Sequence, residues 1–170
     1  LYYQFINKYS MDFISIFIVL IVVALFMMIF LLPSIASKKT QKKMQIELCA
    51  IAGKCGASVN MSTIMGDSII GLDEDKNLVF FYKIIDKNAR SNVINLNEMK
   101  DCKTINEKRT IKSKTESFSK LERLGLQFIA KDKNKSDVVL EFYNAIDRSQ
   151  LNFDIKALEQ WSDLLGMRLK

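Results

Sequence analysis

The sequence predicts an N-terminal transmembrane helix followed by an α+β, mainly β domain that closes with a helix. Three observations lead there. Phe13 to Leu32 is a run of twenty residues whose lone polar side chain is Ser15. After Asn60 the apolar residues change from helical to roughly alternating spacing, and they keep it to Tyr143. Beyond Asp154 they return to helical spacing, with Leu158, Trp161, Leu165 and Leu169 as a stripe.

The apolar run comes first. At about 1.5 Å per residue a helix of this length spans about 30 Å, the thickness of a bilayer hydrocarbon core. It is apolar on all sides, unlike an amphipathic surface helix. A cleavable signal peptide is the rival reading, since Ser34-Ile35-Ala36 after Pro33 has the small-x-small pattern of a cleavage site. Two features oppose it. The run exceeds the roughly 7–15 residues of a signal core, and the basic block follows it instead of preceding it. No GxxxG, charge or ion path interrupts the span, so it reads as a tether.

The flanks set orientation. Lys8 and Asp12 cancel before the span, whereas Lys38, Lys39, Lys42 and Lys43 follow it within six positions. The positive-inside rule places the C-terminal side in the cytoplasm and residues 1–12 outside. Tyr2, Tyr3, Phe5 and Tyr9 would sit at the outer interface. Met11 offers an alternative start that would leave residues 1–10 without a role.

Charge follows the same division. The chain carries a formal +6, but residues 34–60 alone hold five lysines against Glu47. Residues 61–170 are nearly balanced, with 19 basic and 17 acidic side chains. Lysines beside an anionic leaflet contribute about 1 kcal/mol each, so Lys38, Lys39, Lys42 and Lys43 are read as membrane-surface contacts. Nucleic acid is not needed to explain the excess, and none is expected as a partner. The smaller clusters Lys108, Arg109, Lys112, Lys114 and Lys131, Lys133, Lys135 read as solvated loops.

Domain elements follow in order. Residues 34–58 form a basic juxtamembrane helix after a break at Pro33, with Gly53 and Gly56 as its stop. Met44, Leu48, Ile51, Ala52 and Cys55 line one face of it. That face either docks on the following domain or receives a partner helix through Met44, Leu48 and Ile51. From residue 60 to 170 the pattern is six or seven antiparallel strands. They are Ser68–Gly71, Leu78–Ile85, Ser91–Leu96, Met99–Asn106, Lys120–Lys131 and Val138–Tyr143, with Glu107–Ser117 as a polar connection. Asp154 is an N-cap for the closing helix 154–169, and Trp161 buries that helix against the sheet.

The strand order, the segment Val93-Ile94-Asn95-Leu96-Asn97-Glu98-Met99-Lys100-Asp101-Cys102 and the closing helix with Trp161 resemble a bacterial pleckstrin-homology-like domain. The whole chain is similar to small single-pass membrane proteins of Bacteroidota that carry such a domain. The resemblance implies a bent antiparallel barrel of about seven strands, capped at one end by the C-terminal helix. Lipid-binding relatives place basic residues in the first strand–strand loop. Leu72–Asn77, read as that loop, holds three acids and one base, which speaks against phosphoinositide recognition there. The resemblance then implies a scaffold that binds protein or peptide, by the open edge beside the C-terminal helix.

Catalytic chemistry is not legible. The absence of His removes imidazole acid/base work and imidazole metal sites. Gly53-Lys54-Cys55-Gly56 lacks the preceding Gly and the Ser/Thr of a phosphate loop. Ser117-Phe118-Ser119-Lys120 matches S-x-x-K without its companion motifs. Cys49 and Cys55 point to different faces of one helix, and three cysteines in a cytoplasmic domain are reduced thiols by default. No enzyme activity, cofactor or metal is expected. The partners expected are the lipid bilayer and a protein or membrane complex. A membrane-tethered interaction module leads. An accessory subunit of a transport or secretion complex, or an anionic-lipid or small-ligand binding domain, are the alternatives.

Overall fold

The computed structural model describes residues 13–85, 88–112, 117–147 and 155–169. Side chains of 13–15, 25–37, 111–112 and 117–118 also lie outside the described residues, as do the expected outer segment 1–12 and the expected cap Asp154. The chain divides into two compact units, residues 1–42 and 43–170.

Helix α1 runs Phe13–Lys54 as one 42-residue α-helix. The break expected at Pro33 does not occur. A proline inside a helix removes one backbone hydrogen bond, and unbroken turns on both sides carry the helix through that loss. In the first unit Ile16 to Val23 are exposed at 40–69%, eight consecutive apolar residues around every side of the helix. Among the described residues no helix is long and apolar enough to cross a membrane. Of the run Phe13–Leu32, side chains are described only for residues 16–24.

In the second unit, strands β1 (Met61–Met65), β2 (Ser68–Asp73), β3 (Leu78–Ile85) and β4 (Asn88–Asn95) form an antiparallel sheet in that order. Strands β5 (Met99–Lys112), β6 (Ser117–Ala130) and β7 (Val138–Asn144) form a second. Helix α2 (Ile155–Arg168) follows. The fold is thus mixed α/β, with four-stranded and three-stranded antiparallel sheets and a C-terminal helix. No ladder joins the two sheets among the described residues, so the expected barrel is not closed. The chain crosses between sheets through a 3-10 turn at Leu96–Glu98, where Asn95 accepts the Asn97 N–H.

Two differences from the sequence reading concern strand extent. Residues 107–112 belong to β5 and are not a loop. They pair with Ser117–Arg123, and from Lys108 and Leu121 outward this is a two-stranded ribbon beyond the β6–β7 ladder, which starts at Arg123. Strand β1 was not expected. Its presence makes the two-residue Gly66–Asp67 turn, with Gly66 at φ 60°, the first strand–strand connection. The acidic segment Leu72–Asn77 therefore lies where β2 passes to β3, and the carboxylates of Asp73 and Glu74 have structural partners. Asp73 accepts N–H groups of Ser58, Asp75 and Lys76 at 2.7, 3.0 and 2.9 Å. Glu74 pairs with Arg168 of α2.

The first sheet is covered on both faces, which explains why β2 and β3 read as continuous apolar runs. Between the sheets Ile70, Leu72, Phe81, Leu126, Phe128 and Phe142 pack with Leu158, Trp161 and Leu165 of α2. Phe81 and Phe142 meet edge to face, centroids 5.0 Å apart, a geometry aromatic quadrupoles favour. On the outer face Met44, Leu48 and Ala52 of α1 pack on Ile69, Phe80 and Tyr82. The compact unit consequently begins at Lys43 and not at residue 60. The last three turns of α1 are part of it.

Candidate functional site

The β3–β4 hairpin opens a cavity of about 410 Å³, lined by Phe81, Lys83, Ile85, Arg90, Asn92, Arg123, Val139 and Glu141. Alternation along β3 brings Phe81, Lys83 and Ile85 to one face. The ladder sets Phe81 opposite Asn92 and Lys83 opposite Arg90. Arg123 comes from β6, Val139 and Glu141 from β7.

Lys83 is 2% exposed. Burial pushes its ammonium below the ordinary lysine value, and the Arg90 charge pushes the same way. Asp147, Glu141 and Asp67 act in the opposite sense. Arg123 is differently placed. Its Nε donates to Glu141 Oε1 at 2.7 Å and its Nη1 lies 3.5 Å from Glu107. The Glu141 contact raises the guanidinium pKa further. Glu141 Oε1 also accepts from Asn144 Nδ2 at 3.3 Å. The carboxylate in the cavity wall is therefore already engaged from β6 and β7.

A smaller cavity of about 170 Å³ lies between edge strand β1 and α2, lined by Met61, Thr63, Ala157, Gln160, Trp161 and Leu164. It is the edge beside the C-terminal helix. Trp161 is buried there, as its place in the stripe required.

The sequence-derived contacts fall elsewhere. Lys38, Lys39, Lys42 and Lys43 are exposed on α1. Met44 and Leu48 are buried and Ile51 half-buried, so the face they form is occupied by β2 and β3. This corrects the reading of Met44, Leu48 and Ile51 as a partner face. The stripe that would attract another helix is used within the fold. Cys49 and Cys55 are exposed, and Cys102 is buried with its thiol pushed up to about 12 by desolvation. Among the described residues no three His, Cys, Asp or Glu side chains gather as a metal site.

Sequence reasoning did not single out Lys83, Arg90 or Arg123. One signal was present: Lys83 is the lone charge in Leu78–Ile85, at the same parity as the core residues Val79 and Phe81. Comparison with protein-family models, with curated proteins and with solved structures finds no match for this chain.

Proposed function

We propose that the chain is a membrane-tethered, non-enzymatic binding module whose pleckstrin-homology-like domain works at the cytoplasmic face of a bacterial inner membrane. The observation that carries the tether is the exposure of Ile16–Val23 all round α1. Eight contiguous apolar residues facing outward are costly in water and favourable in lipid. They lie inside the twenty-residue run, and Lys38, Lys39, Lys42 and Lys43 follow on the side expected to face anionic headgroups. The four-plus-three strand arrangement with its closing helix supports the domain reading.

Two measurements test it. After carbonate washing of membranes the full chain should remain in the pellet. Release into the supernatant overturns the tether. A membrane-impermeant maleimide should label the exposed Cys49 and Cys55 only after cells are opened. Labelling of intact cells overturns the orientation.

A second reading, a small-ligand or anionic-lipid binding domain, is favoured by the charged cavity at Lys83.

A further inference from the structure

We propose that the open edge of β4 pairs with the same edge of a second copy of this chain, joining the two four-stranded sheets across a two-fold axis at Ser91. The inference goes beyond the binding-module reading and does not depend on the tether.

The edge comes first. Strand β4 ends the four-stranded sheet, and among the described residues no strand pairs with its outer side. Asn88 to Val93 are all exposed. Such a rim is a template for another strand unless charge, proline or a bulge protects it. The other rims are protected or short. Strand β5 carries two register shifts and the cations Lys100, Lys103, Lys108 and Arg109. Strand β7 meets β6 through a shift, and β1 has five residues. Strand β4 has eight, pairs with β3 without a shift and holds one charge, Arg90. Helix α1 leaves it clear: among the described residues the cluster under that helix takes in Phe80, Tyr82 and Ile84 of β3 and nothing from β4.

The ladder shows which groups point outward. Leu96 N–H donates to Asn77 C=O at 2.9 Å. Hydrogen-bonded and open rungs alternate in an antiparallel pair. Ile94, Asn92 and Arg90 therefore bond β3, and Ala89, Ser91 and Val93 turn their N–H and C=O groups to the free side. Two such edges related by a two-fold axis at Ser91 exchange backbone hydrogen bonds between the two Ser91 residues and between Ala89 and Val93 on each side.

Side chains select a second copy and its register. With the axis at Ser91, Arg90 faces Asn92 of the second copy, whose amide oxygen accepts from a guanidinium, and symmetry repeats the pair. On the other face Ser91 meets Ser91, and Val93, 45% exposed in the single chain, meets Ala89. Moving the axis to Arg90 would set two guanidiniums face to face, which destabilises a sheet. Moving it to Asn92 would set Arg90 against Ile94. The register at Ser91 satisfies every polar side chain it brings together.

The test is sedimentation equilibrium of the full chain in density-matched detergent, with the axis residue varied. Wild type should show a reversible monomer–dimer equilibrium. Ser91 is exposed, so Ser91→Lys and Ser91→Glu leave the β3–β4 ladder in place and bring like charges together on the axis. Each alone should weaken dimerisation at least about tenfold, and mixing the two should restore it. Cross-linking in membranes fixes the place. With Cys49→Ser and Cys55→Ser removing the exposed thiols, Ser91→Cys should link two copies under mild oxidation. Facing residues on a hydrogen-bonded rung lie about 5.5 Å apart at Cα, within disulfide reach. Ser62→Cys on the β1 edge is the control. A chain that stays monomeric to about 100 µM overturns the proposal and leaves the edge to a strand of another sequence. It is overturned equally if Ser91→Lys dimerises as wild type does, or if Ser91→Cys links no faster than Ser62→Cys. Failure of carbonate resistance would remove the tether and leave these measurements as they stand.

Discussion

Leu48 of α1 occupies the space a side chain on Gly71 would fill. A Cβ built on Gly71 lies 2.7 Å from Leu48 Cδ2 and 2.8 Å from Val59 Cγ1. The missing side chain in the middle of β2 is what lets the helix settle on the sheet. Gly71→Ala should therefore destabilise the fold by about 1–3 kcal/mol through overpacking. Leu48→Ala should cost about 2–5 kcal/mol through the cavity it leaves. The double variant should be less destabilised than the sum, because the smaller residue at 48 relieves the clash at 71. Denaturant melts of the four proteins check this, and strict additivity would refute the contact.

Asp73 gathers three backbone N–H groups, and these hydrogen bonds hold its carboxyl below the ordinary value of 3.8. The native state thus favours the carboxylate. The stability it contributes is fully present above pH 3.8, declines below it, and is lost as the pH falls through the lowered native value. Asp73→Asn should lower the melting temperature at pH 7. It should also flatten the acid limb of a stability–pH curve, where wild type keeps its slope. Parallel acid limbs would contradict the assignment.

Lys83 gives the opposite dependence. Burial lowers its pKa from 10.5, so between the native value and 10.5 the unfolded chain holds more protons. Raising the pH through that interval stabilises the fold. Any advantage of Lys83→Met over wild type should be greatest near neutrality and shrink toward pH 10.5. Thermal midpoints across that range measure it, and a constant difference would count against the burial cost.

The three thiols should divide cleanly. Cys49 and Cys55 are exposed, whereas Cys102 is buried beside Ser162 with its pKa near 12. A thiolate-dependent reagent at pH 8 should titrate two groups quickly in the native protein and the third only after denaturant is added. Fast reaction of all three would mean that β5 opens readily at Cys102.

What the sequence disclosed tracks how each segment is buried. The stripe Met44, Leu48, Ala52 was legible because a helix with one covered face prints a 3.6-residue period. Its occupant was not, since the stripe looks the same under a sheet or another helix. Strand β1 escaped notice because it is five residues long and lies at a sheet edge, with Met61 and Ser62 exposed. Residues 107–112 read as a loop because the ribbon beyond β7 is exposed from Glu107 to Thr110 and carries no alternating apolar signal.

The cavity was harder still. Lys83 is a lone charge inside an apolar strand, a signal the sequence reading passed over, and its neighbour Arg90 follows only from the β3–β4 register. A one-residue slip would send that guanidinium to the other face. Arg123 sits beside the register shift at Leu124/Gly125, where simple alternation no longer tells which way a side chain points.

The last turns of α1 also decide where the protein can be cut. A fragment starting at residue 60 would retain every strand and α2, yet it would lay bare Ile69, Phe80 and Tyr82 on the outer face of the first sheet. Such a fragment is expected to self-associate through that surface. One starting at Lys43 would keep the face covered. The helix that begins as an apolar rod ends as the sheet's own lid against aggregation.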